Sequence, residues 1–322
     1  MTRQIRTVLG DIDAATAGVV DSHDHLFLST PALPGVELDD ARAAAEELAA
    51  FGRARGGTIV QWTPAGLKRG LTALQRLSVT ADVHIVAATG RHRGPLYGAN
   101  ARLPTLSGDR LANEFITDVV HRRCGMVKVG VSSQTVTDDE MDALHAAAAT
   151  HHATGVPIAV HLEQGSAFER VLQLLAADGV PVRSVVLGHI GRNPDEDQIL
   201  AAAHSGAWLC LDGPSTRHPL TLARLTKLVA LLIDAGHSGQ ILLGADTTTA
   251  GRSAPGAGPG GLICDTVPAL SSAIGAAGVA TIMVDNPARA WSLSVAAPTA
   301  DTDVHESSPE ARSIQPRIHG MS

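Results

Sequence analysis

Short runs of β-branched and aliphatic residues recur along most of the chain, each followed by a stretch with helical spacing. The runs are Val19–His23, Thr58–Trp62, His84–Ala88, Met126–Val129, Pro157–His161, Ser184–His189, Trp208–Asp212 and Gln240–Leu243. Their apolar residues are nearly continuous, the pattern of strands covered on both faces. Between them, Asp39–Arg55 places Ala44, Leu48 and Phe51 on one side of a helix. Asp138–Thr150 opens on a capping-box pair, Thr137 and Glu140. Ala167–Ala177 follows Ser166, and Leu220–Ala235 follows Pro219 and stops at Gly236, a suitable helix terminator. Strands that alternate with helices in this way predict parallel βα units.

Two architectures satisfy that alternation: a closed (β/α)8 TIM barrel and an open doubly wound sheet. The open sheet normally carries a GxGxxG phosphate turn after an early strand, and none stands here. The glycine-rich Pro255–Gly261 follows the eighth run and reads as a long loop over a barrel mouth. The expected fold is therefore a single (β/α)8 barrel over residues 1–295. Residues 296–322 lose all periodicity, turn polar and read as a flexible tail.

Composition narrows the class. With 322 residues and 44% hydrophobic content, one large core is affordable. A formal net charge of -7 gives no support to nucleic-acid binding. No apolar run is expected to reach the ~18 residues a bilayer requires, and no signal-peptide core is read, so no membrane partner and a cytoplasmic location are expected. Cys124, Cys210 and Cys264 lie far apart and read as buried thiols. Aromatic residues make up only 2%.

In parallel barrels the chemistry sits at the C-terminal ends of the strands. The first run ends in Asp21-Ser22-His23-Asp24-His25, where a period of two puts both histidines on one face. The fourth carries Lys128, an odd residue for an apolar strand. The fifth and sixth end at His161 and His189, and Asp246 follows the eighth. Singly, each has a bland reading: a hydrogen-bonded histidine, or Asp246 as a helix cap. Together, four histidines, a lysine and an aspartate at the ends of inferred parallel strands point to a metal site.

This set resembles the phosphotriesterase-like branch of the amidohydrolase superfamily, over roughly residues 15–295. Thr63-Pro64-Ala65-Gly66, Val83–Gly90 and Asn286-Pro287-Ala288-Arg289 complete the ordered landmarks. The resemblance implies a binuclear centre, with His23, His25 and Asp246 on the more buried metal and His161 and His189 on the more exposed one. It implies that Lys128 bridges both as a carboxylated lysine. Imidazole and carboxylate ligands suit zinc, with manganese, cobalt or iron as alternatives. It further implies a metal-bridging hydroxide as nucleophile, Asp246 as its proton acceptor, and a homodimer.

The substrate is less defined. Phe27 and Trp62 sit near the expected mouth, while Arg91, His92 and Arg93, then Arg192 and Asn193, then Arg217 and His218 place cations in three loops. These either bind a carboxylate or phosphate of a small-molecule substrate or pair with Asp195, Glu196 and Asp212. Lactonase members carry a Tyr shortly after strand three, whereas Tyr97 lies several residues further on. The expected activity is hydrolysis of a small, polar or anionic lactone or ester. The alternatives are a phosphotriesterase, phosphodiesterase or amidase on the same site, and an inactive metal-binding barrel.

Overall fold

A computed structural model describes residues 2–35, 37–214, 220–248 and 258–294. After a short antiparallel hairpin, Gln4–Arg6 with Asp11–Asp13, eight parallel strands follow in chain order. They are β1 (Val19–Asp24), β2 (Gly56–Gln61), β3 (His84–Arg91), β4 (Met126–Val131), β5 (Ile158–Leu162), β6 (Val185–Gly188), β7 (Trp208–Asp212) and β8 (Ile241–Gly244). Each pairs with the next, giving one eight-stranded sheet. Its ends meet where the Asp246 N–H donates to the His23 carbonyl at 2.8 Å, so the sheet curls into a nearly closed barrel as the alternation predicts.

Side-chain parity explains the two cores. Val60, Val86, Met126, Ala159, Val186, Cys210 and Leu242 face the barrel interior with Trp291 and the hairpin's Ile5. Alternate residues, such as Val127, Val160, Leu187, Leu209 and Leu243, face outward against the helices. The same parity puts Lys128, two residues beyond Met126, and His161, two beyond Ala159, on the inward side.

Helices α1 (Ala41–Arg53), α2 (Leu71–Ala81), α3 (Gly108–Arg122), α4 (Asp138–Thr154), α5 (Phe168–Ala177), α6 (Glu196–His204) and α7 (Leu222–Asp234) follow the first seven strands. The capping box on α4 is present in both directions between Thr137 and Glu140. Helix α5 begins from Ala167, whose side chain caps nothing, and the Ser166 hydroxyl instead donates to Glu163 O. The eighth helical layer is the run 258–290, which contains α8 (Val267–Ala280).

Three expectations need correction. Cys264 is exposed, unlike Cys124 and Cys210. Gly258–Gly261 is helical, so the glycine-rich stretch ends in a helix rather than a loop, and its first residues lie outside those described. An uncharged stretch longer than anticipated exists at 266–284. Its mean hydropathy reaches 1.8 because alanine and valine replace charge, yet Gly275 (φ 75°, ψ 165°) breaks the helix within it. Leu270, Ile282 and Met283 anchor the run to the barrel.

Candidate metal centre

A β-bulge prepares the first ligands. Between Asp21 and Asp24 the register of β1 against β2 slips, so three steps on one strand match two on the other. Ser22 turns inward to Trp291, and His23 also turns inward, where it stacks on Trp62 at 3.8 Å between ring centroids. His25 follows past the strand end. Asp246, just beyond β8, places Oδ1 at 3.4 Å from His23 Nε2 and 3.5 Å from His25 Nε2. From the far side, His189 lies 4.8 Å from the His23 ring and 4.3 Å from the His161 ring. His189 (φ 65°) and Asp246 (φ 49°) both hold left-handed backbone, a strain that non-glycine residues keep where a site demands it. The structure thus brings together His23, His25, Lys128, His161, His189 and Asp246 around one cavity mouth.

The imidazoles are oriented by acceptors. Thr63 donates its hydroxyl to the Phe27 carbonyl at 2.6 Å, so its oxygen accepts from His25 Nδ1 at 2.7 Å. The lone pair of His25 therefore sits on Nε2, toward Asp246. Glu163 lies 3.0 Å from His161 Nε2, and Asp212 lies 2.7 Å from His189 Nδ1. The opposite nitrogen of each ring is left for a ligand, the arrangement that carboxylates impose on metal-binding histidines. His23 Nδ1 and Asp212 Oδ1, 3.6 Å apart, are both buried without a hydrogen-bond partner. Two groups among the described residues are spaced to hold a cation: His23, His25, Asp246 and His23, His189, Asp212. These donors fit divalent metals.

Electrostatics agree. Burial pushes His25 and His189 down to about 4 and His161 well below its ordinary value, so all three are neutral at pH 7 and able to donate lone pairs. Burial also lowers the Lys128 amine to about 7, against a pull upward from Asp246. Lys128 is 1% exposed, and no carboxylate among the described residues lies within 4.0 Å of it. For Asp246, burial favours the acid form, but His23, His189, His25 and Arg192 outweigh it and hold the carboxyl well below the usual range.

His25, Lys128, His161, His189 and Asp246 line a cavity of about 390 Å³, walled by Leu28, Leu33, Leu67 and Leu96, with His23 behind them. Of the anticipated substrate residues, Arg93 and Arg192 face it. Arg93 pairs with Glu163 at 2.5 Å. Arg192 donates through Nε to Asp212 at 2.7 Å and through Nη2 to Asp246. Arg91 points the other way and donates to the carbonyls of Leu106 and Asp139. Phe27 packs on Gly70, and Trp62 supports His23 from below; neither lines the cavity. Arg217 lies outside the described residues. Tyr97 is a tie, its hydroxyl accepting from His92 N and donating to Ala65 O. The sequence reading missed Thr63 and Glu163 as orienting groups and gave Asp212 only as an arginine partner. The position of Glu163, two residues past a strand-end histidine, was the available signal.

A parallel barrel whose strand ends converge on a cavity with these side chains has the architecture of the TIM-barrel enzymes. Residues 3–291 match the phosphotriesterase family, and the chain belongs to it. A phospho-furanose lactonase of Mycoplasmopsis agalactiae is 29% identical over 236 residues, covering 65% of this chain and 66% of that protein. An N-acetyltaurine hydrolase of Danio rerio is 26% identical, covering 89% and 97%. In fold, the chain is similar to a crystal structure of a lactonase from Listeria monocytogenes, with TM-score 0.82, 24% identity and coverage of 91% and 100%.

Proposed function

We propose that this chain is a binuclear-metal-dependent hydrolase that opens a lactone or ester of a small anionic molecule. The observation that carries the reading is the paired orientation of the imidazoles. His161 and His189 each have one nitrogen on a carboxylate and the other open to a cation, and His25, with Nδ1 on Thr63, turns Nε2 to Asp246. His23, His25 and Asp246 would hold one metal, His161 and His189 the other, and Lys128, carboxylated, would supply the charge between them. Bound divalent ions, zinc first among them, acidify a water molecule and polarise the acyl oxygen.

The chain's own residues do the rest. Asp246, held as a carboxylate, accepts the proton released as water adds to the acyl carbon. The ring C–O bond then breaks and the departing alkoxide takes a proton. The four leucines of the wall exclude bulk water. Arg93 and Arg192 bring guanidinium donors to the wall, Arg93 held by Glu163 and Arg192 by Asp212 and Asp246. Such donors suit the anions of the two relatives, since a phospho-furanose carries a phosphate and taurine a sulfonate. The full-length likeness to the second supports an alternative, amide hydrolysis on the same site.

A panel assay of zinc-loaded protein tests the proposal. Phosphorylated furanose lactones should turn over well ahead of neutral lactones, with N-acetyl aminosulfonates next and phosphotriesters last. Preference for neutral phosphotriesters, or no hydrolysis of any acyl compound by protein carrying two equivalents of zinc, would remove it.

A further inference from the structure

Arg192 stands in a place of its own among the site's cations. It ends the one-turn helix Ile190–Arg192 that begins directly after His189, so its backbone is fixed to a predicted ligand. Its guanidinium spans two carboxylates, Nε on Asp212 Oδ2 and Nη2 on Asp246 Oδ2. The side chain is 19% exposed and lines the cavity. Asp212 is fully buried and already receives His189, so it is a permanent anchor. Asp246 is different. Its other oxygen faces His23 and His25, where a cation would bind.

A divalent ion at Oδ1 draws charge from the whole carboxylate, so it weakens the hold of Oδ2 on the guanidinium. It carries twice the charge and approaches a carboxylate oxygen to about 2.0–2.2 Å, against about 2.7–2.9 Å for a charged hydrogen bond. With that hold weakened, Arg192 keeps Asp212 through Nε while its terminal nitrogens are released to the cavity. The other arginines nearby are engaged, Arg93 by Glu163 and Arg91 by backbone carbonyls.

We infer that Arg192 is a metal-coupled anion clamp: it neutralises Asp246 in the metal-free chain and exchanges that contact for the phosphate, sulfonate or carboxylate of the substrate once the metals bind. The inference rests on the metal-dependent reading above and adds to it an order of assembly, in which metal loading creates the anion site. Planar guanidinium forks match these anions bidentately.

Chelator-competition titration with zinc and calorimetric titration with inorganic phosphate test it without any turnover. Zinc-loaded wild type should bind phosphate about tenfold or more tightly than the metal-free chain. Arg192→Met should take up zinc about tenfold more tightly than wild type, having lost the internal competitor, yet bind phosphate about tenfold more weakly when loaded. Arg192→Lys, which keeps the charge but not the fork, should also lose phosphate affinity. Weaker zinc uptake by Arg192→Met would make the residue a support for Asp212 and Asp246 and overturn the clamp. Phosphate affinity unchanged in both variants would overturn it equally. Wild type that takes up no zinc would defeat the metal-dependent reading itself, whereas two equivalents bound alike by wild type and Arg192→Met would defeat the clamp alone.

Discussion

The Lys128 amine is enclosed by the barrel wall, and its ordinary charge is what burial opposes. In the metal-free chain the folded state holds it at about 7, while the unfolded chain holds it near the ordinary lysine value of 10.5. Between those values the unfolded state binds more protons, so this group's contribution to stability rises with pH from about 7 to about 10.5 and is flat below. Lys128→Met removes the dependence. In chelator, the variant's gain in melting temperature over wild type should be largest at pH 7 and below and shrink toward pH 10. A constant difference across that range would contradict the low amine value. Asp212 offers a second residue-scale test. His189 Nδ1 and Arg192 Nε both meet Asp212 Oδ2, so Asp212→Asn, which removes the carboxylate charge that holds them, should loosen the His189 ring. Losing such an orienting partner weakens metal binding by about 10–100-fold, which zinc titration would read in one of the two equivalents.

Among the elements, the strand ends act as spacers as much as ligand carriers. A Cβ on Gly244 would lie 2.4 Å from His23 N and 2.5 Å from His23 Cβ, where the neighbour is largely backbone and has nowhere to go. Gly244→Ala should therefore cost about 3 kcal/mol or more and abolish zinc binding by displacing His23. Gly236→Ala is the control. Its φ of 85° carries strain, but nothing stands within 4 Å, so a loss of about 1 kcal/mol with zinc binding intact is expected. Urea denaturation and zinc titration of the two variants separate these outcomes. The strands were legible in the sequence because both of their faces are covered, which leaves long apolar runs that end on polar ligands. Helix α2 was less so, since it starts from Gly70 in left-handed backbone with no side-chain cap to announce it. The Arg91 reading failed on parity. Ile85, Ala87, Thr89 and Arg91 alternate on the outer face of β3, where Thr89 bonds Asp118 of α3, so Arg91 serves the helix layer while His92 turns inward. Proximity to a strand end in sequence does not reveal the side of the wall. The orienting roles of Thr63 and Asp212 depend on partners 38 and 23 residues away, a relation visible only once the barrel has closed.

At the scale of the whole molecule, the metal-free barrel concentrates buried polar groups at one end. Asp21, raised well above its ordinary value by burial and by Asp24, leaves Oδ2 buried without a hydrogen-bond partner, as His23 leaves Nδ1 and Asp212 Oδ1. The opposite end is filled by Ile5, Val20, Met126 and Trp291, with no such demand. Ligand binding to the folded state alone stabilises it by about 2.7 kcal/mol at a free concentration of 100 Kd. Zinc should therefore raise the melting temperature by several degrees in a concentration-dependent manner, because the proposed ligands at the ends of β1, β4, β5, β6 and β8 would be drawn together across the barrel mouth. Asp246→Ala should lose most of that gain. Arg91→Met should melt lower at every zinc concentration, since it frees the Leu106 and Asp139 carbonyls, yet keep the full zinc-dependent rise. Scanning calorimetry of the three proteins in chelator and in graded zinc distinguishes a cation that belongs to the fold from one that merely visits its surface: a wild-type melting temperature indifferent to zinc, or a rise preserved in Asp246→Ala, would place the cation elsewhere than the barrel mouth.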